Sequence, residues 1–294
     1  MIKVRRQFVH IWILFFPLAL AQRAYIGLNF PTEDLKFYVS GGLTQLSRVG
    51  IEKSILFYPV TLFEHEEIRI LFLSTVLAIL FVACIWKLTR LSGQTTDGWL
   101  VLLLTLSIYH AQIDMHLMRQ QISIYLFLIA LLQNNIYSKI LLFSLSALYH
   151  ELATLLLLSY LLAKLFRNNN AYIKVHHVLV ISIALHLISF SVHNFSGIIF
   201  SIVVNILFYI CKIDSQRYRY GYFIFVFSIV ISLLFLAGYI FPVNLERLIG
   251  VHVSVTLLLI IAYGDFQTIR RNFKKFLVSG FLLMYSTLWV LSVA

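Results

Sequence analysis

Apolar runs recur along all 294 residues of the chain, and no stretch between them is large enough to form a soluble domain. This pattern limits the possible folds more than any motif does. Hydrophobic residues make up 61% of the sequence and charged residues only 12%, with twelve acids against 23 lysines and arginines. So few charges cannot cover the surface of a soluble protein of this size, which excludes a globular enzyme built around a water-soluble core. In hydrocarbon every backbone donor and acceptor must be satisfied internally, so the expected class is an all-α, polytopic integral membrane protein.

The net charge of +11 does not point to nucleic acid, because the basic residues lie in short clusters between apolar segments. The clusters are Lys3/Arg5/Arg6, Lys87/Arg90, Lys164/Arg167/Lys174, Lys212/Arg217/Arg219 and Arg270/Arg271/Lys274/Lys275. They read as cytoplasmic topology signals under the positive-inside rule. Cys84 and Cys211 have no metal-ligand spacing and imply neither a disulfide framework nor a metal site. The basic start followed by Ala19-Leu20-Ala21 resembles a signal peptide, but in a chain that keeps crossing the membrane an uncleaved first span is expected.

Spanning a ~30 Å hydrocarbon core takes about 20 helical residues. Segments of that length lie near 8–28, 68–87, 140–163, 222–242 and 276–294. Shorter or interrupted ones lie near 98–112, 117–133, 175–193, 196–211 and 247–264. Together they predict roughly nine to eleven spans in one transmembrane domain covering 1–294, with a large external loop at 22–67. Keeping every basic cluster inside requires an even number of crossings between clusters, yet three apolar segments lie within 98–163. A broken or re-entrant helix near 98–133 resolves the parity, and such a break is tolerated where protein or a wet cavity satisfies the freed backbone.

The same region holds a polar knot: His110, Gln112, Asp114, His116, Arg119, Gln120 and Gln121. Ionisable groups at membrane depth are costly, so these are the first candidates for function. Asp114 and Arg119 stand five residues apart, and two readings are open. They form a neutralised ion pair that fixes packing, or Arg119 binds an anion through its planar donor fork, with His116 one turn before it. His150 and Glu151 sit mid-way along Lys139–Lys164, where a packing role competes with phosphate binding or acid/base work. On the expected outer side, Glu33-Asp34 with Tyr38 is either a solvated loop or a carboxylate site for sugar hydroxyls. Arg217 and Arg247 add arginines near membrane surfaces. No Gly-rich phosphate loop, zinc spacing or Gly-x-Ser-x-Gly elbow is present, which argues against nucleotide hydrolysis and leaves no cofactor expected.

Met118-Arg119-Gln120-Gln121 opens an apolar segment, a short connection containing Lys139 follows, and Ala147-Leu148-Tyr149-His150 lies in the next segment. This arrangement resembles the EpsG family, counted among the Wzy-type polymerases of bacterial surface polysaccharides, whose members carry Leu-Arg-Gln and, further on, Phe-His. Asp34…Tyr38, Arg217-Tyr218 and Glu246-Arg247 look like further elements of that family. The chain departs from the pattern with Met118 before the arginine, Tyr149 before the histidine, and Glu151 after it.

The resemblance implies an enzyme, a multi-pass glycosyltransferase of the bacterial inner membrane that makes O-antigen, capsule or exopolysaccharide. It would move a glycan from undecaprenyl diphosphate onto the next lipid-linked repeat unit at the outer face. Its partners would be lipid-linked oligosaccharide units, membrane lipid, and a chain-length regulator and flippase of the same pathway. On this reading Arg119, His150, Asp34 and Glu151 are catalytic candidates. Arg119 holds the leaving diphosphate, His150 binds phosphate or relays a proton, and Asp34 or Glu151 is the base for the acceptor hydroxyl. Arg247, His116, Asp114, Arg217 and Tyr218 are expected to bind substrate. The alternatives are a lipid-linked oligosaccharide flippase, against which the lack of an internal repeat counts, and a membrane acyltransferase using His150.

Overall fold

Twelve helices and no strand are found among the described residues of the computed structural model. Those residues are 2–31, 33–40, 58–92, 98–107, 110–111, 114–115, 117–150, 152–168, 175–193, 197–211, 219–237, 245–263 and 271–293. The helices are α1 (Ile2–Asn29), α2 (Glu33–Ser40), α3 (Glu66–Ser92), α4 (Gly98–Leu106), α5 (Met118–Leu131), α6 (Ile136–Tyr149), α7 (Leu152–Asn168), α8 (Val175–His193), α9 (Gly197–Ile210), α10 (Arg219–Ala237), α11 (Leu245–Tyr263) and α12 (Arg271–Val293). The all-α class expected from the sequence is therefore found. Within α3, Glu66–Leu88 is long and apolar enough to cross a membrane, and seven shorter apolar helices of 10–17 residues accompany it among the described residues.

The chain divides into two compact units, 1–153 with 279–294, and 154–278. In the first, α1 packs along α3, α3 along α5, and α5 against α6. Helix α5 is buried on nearly every side, from Met118 through Leu131 with only Arg119 and Ile129 partly exposed, whereas α6 buries only Ser146. A helix surrounded by neighbours must be apolar all round, and from Ile122 to Leu131 only Ser123 and Tyr125 carry side-chain polar atoms. The turn to α6 ends at Asn135, whose side chain accepts the Tyr137 N–H over 2.9 Å and so caps the new helix.

Three expected boundaries move. The external connection expected to begin at Gln22 begins after Asn29, because α1 runs on and buries Arg23. The segment expected near 98–112 ends as α4 at Leu106 and α5 starts afresh at Met118; of the polar knot, Arg119, Gln120 and Gln121 open α5, and His110 and Asp114 lie in helical residues between the two. The continuous span expected near 140–163 is interrupted at His150, whose backbone is extended (φ −161°, ψ 139°) and separates α6 from α7.

In the second unit α8 packs on α10 and α9 on α11, and a polar seam runs through the largely apolar core of these helices. Ser201 Oγ lies 2.7 Å from His186 Nε2 and 2.9 Å from His252 Nδ1, while Asn205 donates to Ser228 Oγ over 2.7 Å. Ser182 donates to Ser228 over 2.7 Å, so all four helices share one hydrogen-bonded seam. Outward-facing positions hold large apolar groups, among them Val180, Ile181, Leu187 and Ile188 on α8, and Ile140 and Leu141 on α6 of the first unit. Each unit thus sets polar groups within an apolar core and also exposes large apolar side chains.

Candidate functional site

The break between α4 and α5 is held by a buried ion pair. Asp114 accepts from Arg23 Nε over 2.7 Å and from Arg23 Nη2, and both side chains are fully buried. Tyr125 donates to the same carboxylate at 2.8 and 3.0 Å, and its hydroxyl lies 3.1 Å from His110 Nε2. The Arg23 guanidinium also stacks 4.5 Å from the centroid of the Phe81 ring and donates to the Ala19 carbonyl over 3.1 Å. One network therefore ties α1, α3, α5 and the segment before α5. Gly27 completes this junction: a Cβ there would stand 2.7 Å from both Ile70 Cγ2 and Met115 Cε. Only a residue without a side chain lets α1, α3 and Met115 approach so closely.

This arrangement corrects the reading that pairs Asp114 with Arg119. Asp114 is neutralised by Arg23, 91 residues away, and its remaining acceptor capacity goes to Tyr125. Its position supports structure at the break and leaves Arg119 without that carboxylate.

Arg119 lies in the first turn of α5, half-buried, with its guanidinium carbon 5.6 Å from the centroid of the Tyr38 ring. A cation at that distance over an aromatic face is held by the ring quadrupole. Helix α2 presents Tyr38 because Leu35, Tyr38 and Val39 share its buried face. Its C-terminal end is fastened by Arg69, which donates to the Val39 carbonyl and, over 2.7 Å, to that of Phe63. Cations favour helix C-termini, where carbonyls are left unpaired. Asp34 lies one turn before Tyr38 on α2; its side chain falls outside the described residues.

His150 occupies the interruption between α6 and α7 and is half-buried. The Leu152 N–H donates to its Nδ1 over 3.1 Å, so the ring caps the start of α7. Its Nε2 lies 3.3 Å from the Gln120 side-chain amide. The starts of α5 and α7 are thereby joined through one side-chain contact, with Ser123 and Ser146 in hydrogen-bond contact at 3.1 Å below it. Helix starts expose unpaired N–H groups and the positive end of the helix dipole. Two such ends, a histidine and an arginine make a donor-rich corner suited to an anion.

The structure thus brings together Arg119, Tyr38, Gln120 and His150. Arg247 lies in the first turn of α11, in the second unit, with its side chain outside the described residues. His116, Glu151, Arg217 and Tyr218 also lie outside them. Sequence reasoning missed Arg23, Arg69 and Tyr125. A lone arginine in the apolar run before Phe30 was the available signal for the first. Among the described residues no group of three or more His, Cys, Asp or Glu could hold a metal ion. Compared with protein-family models, curated proteins and solved structures, the chain matches none.

Proposed function

We propose that this chain is a polytopic inner-membrane protein that acts as a Wzy-type polymerase, transferring a glycan from undecaprenyl diphosphate onto the next lipid-linked repeat unit. The membrane part of the reading is supported by two features together: large apolar side chains are exposed on the helices, and serines, histidines and an ion pair are buried among the apolar residues of the core. Such an arrangement is unstable in water and favourable in hydrocarbon, where polar side chains join helices. Broken helices are accepted there because neighbouring side chains take up the freed backbone groups, as His150 does for Leu152.

The chemical part rests on one observation, the junction of the α5 and α7 starts at Gln120 and His150 with Arg119 in the same turn. A leaving diphosphate gains negative charge as the glycosidic bond to it breaks. Preplaced donors that meet this charge lower the barrier, and loss of one such donor typically costs about 10²–10³ in rate. Arg119 supplies the full charge and the two helix ends supply partial charges. The acceptor hydroxyl gives its proton to a carboxylate, for which Asp34, one turn from Tyr38, and Glu151, next to His150, are the candidates.

The test is a gel of surface polysaccharide from a deletion strain complemented with wild type or Arg119→Ala, with membrane levels of the protein measured in parallel. A polymerase predicts single-repeat glycan without a ladder in both the deletion and a well-expressed Arg119→Ala strain. An unchanged ladder with Arg119→Ala refutes the assignment of Arg119. Broken helices that meet at an anion site are also the architecture of transporters, so a flippase is the second reading. It predicts loss of even the single-repeat product.

A further inference from the structure

The direction of the hydrogen bonds around His150 assigns a role to Gln120. Nδ1 receives the Leu152 N–H and therefore presents its lone pair. A neutral imidazole then carries its proton on Nε2. Nε2 lies 3.3 Å from the Gln120 amide, and of the two amide atoms only the oxygen can accept its N–H. The amide orientation that satisfies it turns Oε1 toward His150 and puts the NH2 group in the other position. This second position is buried and has no hydrogen-bond partner among the described residues, and Gln120 as a whole is only 7% exposed. The bonds run one way, from the start of α7 through the imidazole to the amide, and end on an unmet donor. A buried donor without an acceptor loses its hydration with nothing in return, which favours a ligand that accepts from it. Arg119 precedes Gln120, and the α5 start has no side-chain cap among the described residues, so both contribute further donors.

We propose that Gln120 is a phosphate-binding residue whose NH2 is pre-oriented by His150 to donate to a diphosphate oxygen beside Arg119. His150 then acts as a neutral donor and orienting group, with neither ring nitrogen free to take a proton from substrate. The proposal rests on the anion-site reading above and adds the residue that reads the phosphate next to the arginine. The ligand chemistry is a diphosphate, either free or as the headgroup of a lipid.

The experiment is calorimetric binding of inorganic diphosphate, and separately of undecaprenyl diphosphate in micelles, to the full-length protein in detergent. Gln120→Met keeps the length of the side chain without its donors, and about 10-fold weaker binding is expected. Gln120→Glu is isosteric but offers only acceptors and a negative charge, so binding should be lost; it decides the matter if Gln120→Met does not fold. In His150→Asn the new side chain can still cap α7 but does not reach Gln120. It should weaken binding several-fold while leaving the thermal midpoint in place. Wild-type affinity in Gln120→Met and Gln120→Glu, with binding lost in Arg119→Ala, overturns the proposal and leaves the anion site standing. Absence of any Arg119-dependent binding by wild type to either probe overturns both. Tighter binding of the lipid than of inorganic diphosphate identifies a lipid headgroup as the ligand, and equal binding identifies the free anion; either supports the role of Gln120 only when the Gln120 variants weaken it.

Discussion

Replacing Arg23 with methionine should damage this protein severely, and replacing Asp114 with leucine in the same chain should restore much of what is lost. The Asp114 carboxylate is fully buried and receives three donors: Arg23 Nε, Arg23 Nη2 and the Tyr125 hydroxyl. Arg23→Met removes two of them together with the countercharge of the ion pair, so an uncompensated charge stays in the core. Breaking a buried ion pair from one side costs about 3–5 kcal/mol, a large share of the roughly 5–15 kcal/mol that holds a typical domain together. Arg23→Met/Asp114→Leu removes both charges. The remaining penalty is chiefly the Tyr125 hydroxyl, which loses its acceptor but keeps His110 Nε2 at 3.1 Å. Leaving one such group partly unsatisfied costs about 1–3 kcal/mol, and apolar packing of the two new side chains offsets part of that. A double-mutant cycle on the purified protein in detergent, read as thermal unfolding, should give a coupling energy of at least about 3 kcal/mol between the two positions, the two one-sided costs less that of the double variant. Additive effects, or an Arg23→Met protein as stable as wild type, refute the claim that this pair fixes the break before α5.

Gly27→Ala should lower the thermal midpoint by an amount corresponding to about 1–3 kcal/mol, since the new methyl meets Ile70 and Met115 at 2.7 Å. Gly280→Ala meets nothing within 4 Å and should be neutral or stabilising by up to ~1 kcal/mol, which makes it the control in the same assay. Ser201→Ala leaves both His186 Nε2 and His252 Nδ1 without their shared partner and should cost about 1–2 kcal/mol. An unchanged unfolding midpoint there would show that the polar seam of α8–α11 does not hold those helices together.

Much of the helix inventory was legible in the sequence because hydropathy and helix length are local properties. The segments near 175–193, 196–211 and 247–264 correspond closely to α8, α9 and α11. The break near 98–133 was legible too, because charges packed into an apolar run conflict with an unbroken helix. The second interruption was not. Nothing in Leu148-Tyr149-His150-Glu151-Leu152 breaks a helix by composition, and it is the His150 ring, capping α7 and meeting Gln120 from another helix, that accompanies the extended backbone.

The candidate site divides the same way. Arg119 and His150 stood out because ionisable groups set between long apolar segments demand a reason for burial. Which group neutralises which could not be read there. Asp114 lies five residues from Arg119 and 91 from Arg23, yet the ion pair forms with Arg23, and Arg119 lies over Tyr38. Local sequence determined that the chain is helical, apolar and interrupted, because those properties follow from neighbours within a few turns. Only the packing of α1 on α3 and of α3 on α5 decided the partners, because a buried charge pairs with the group that packing brings within hydrogen-bond reach, whatever its distance along the chain.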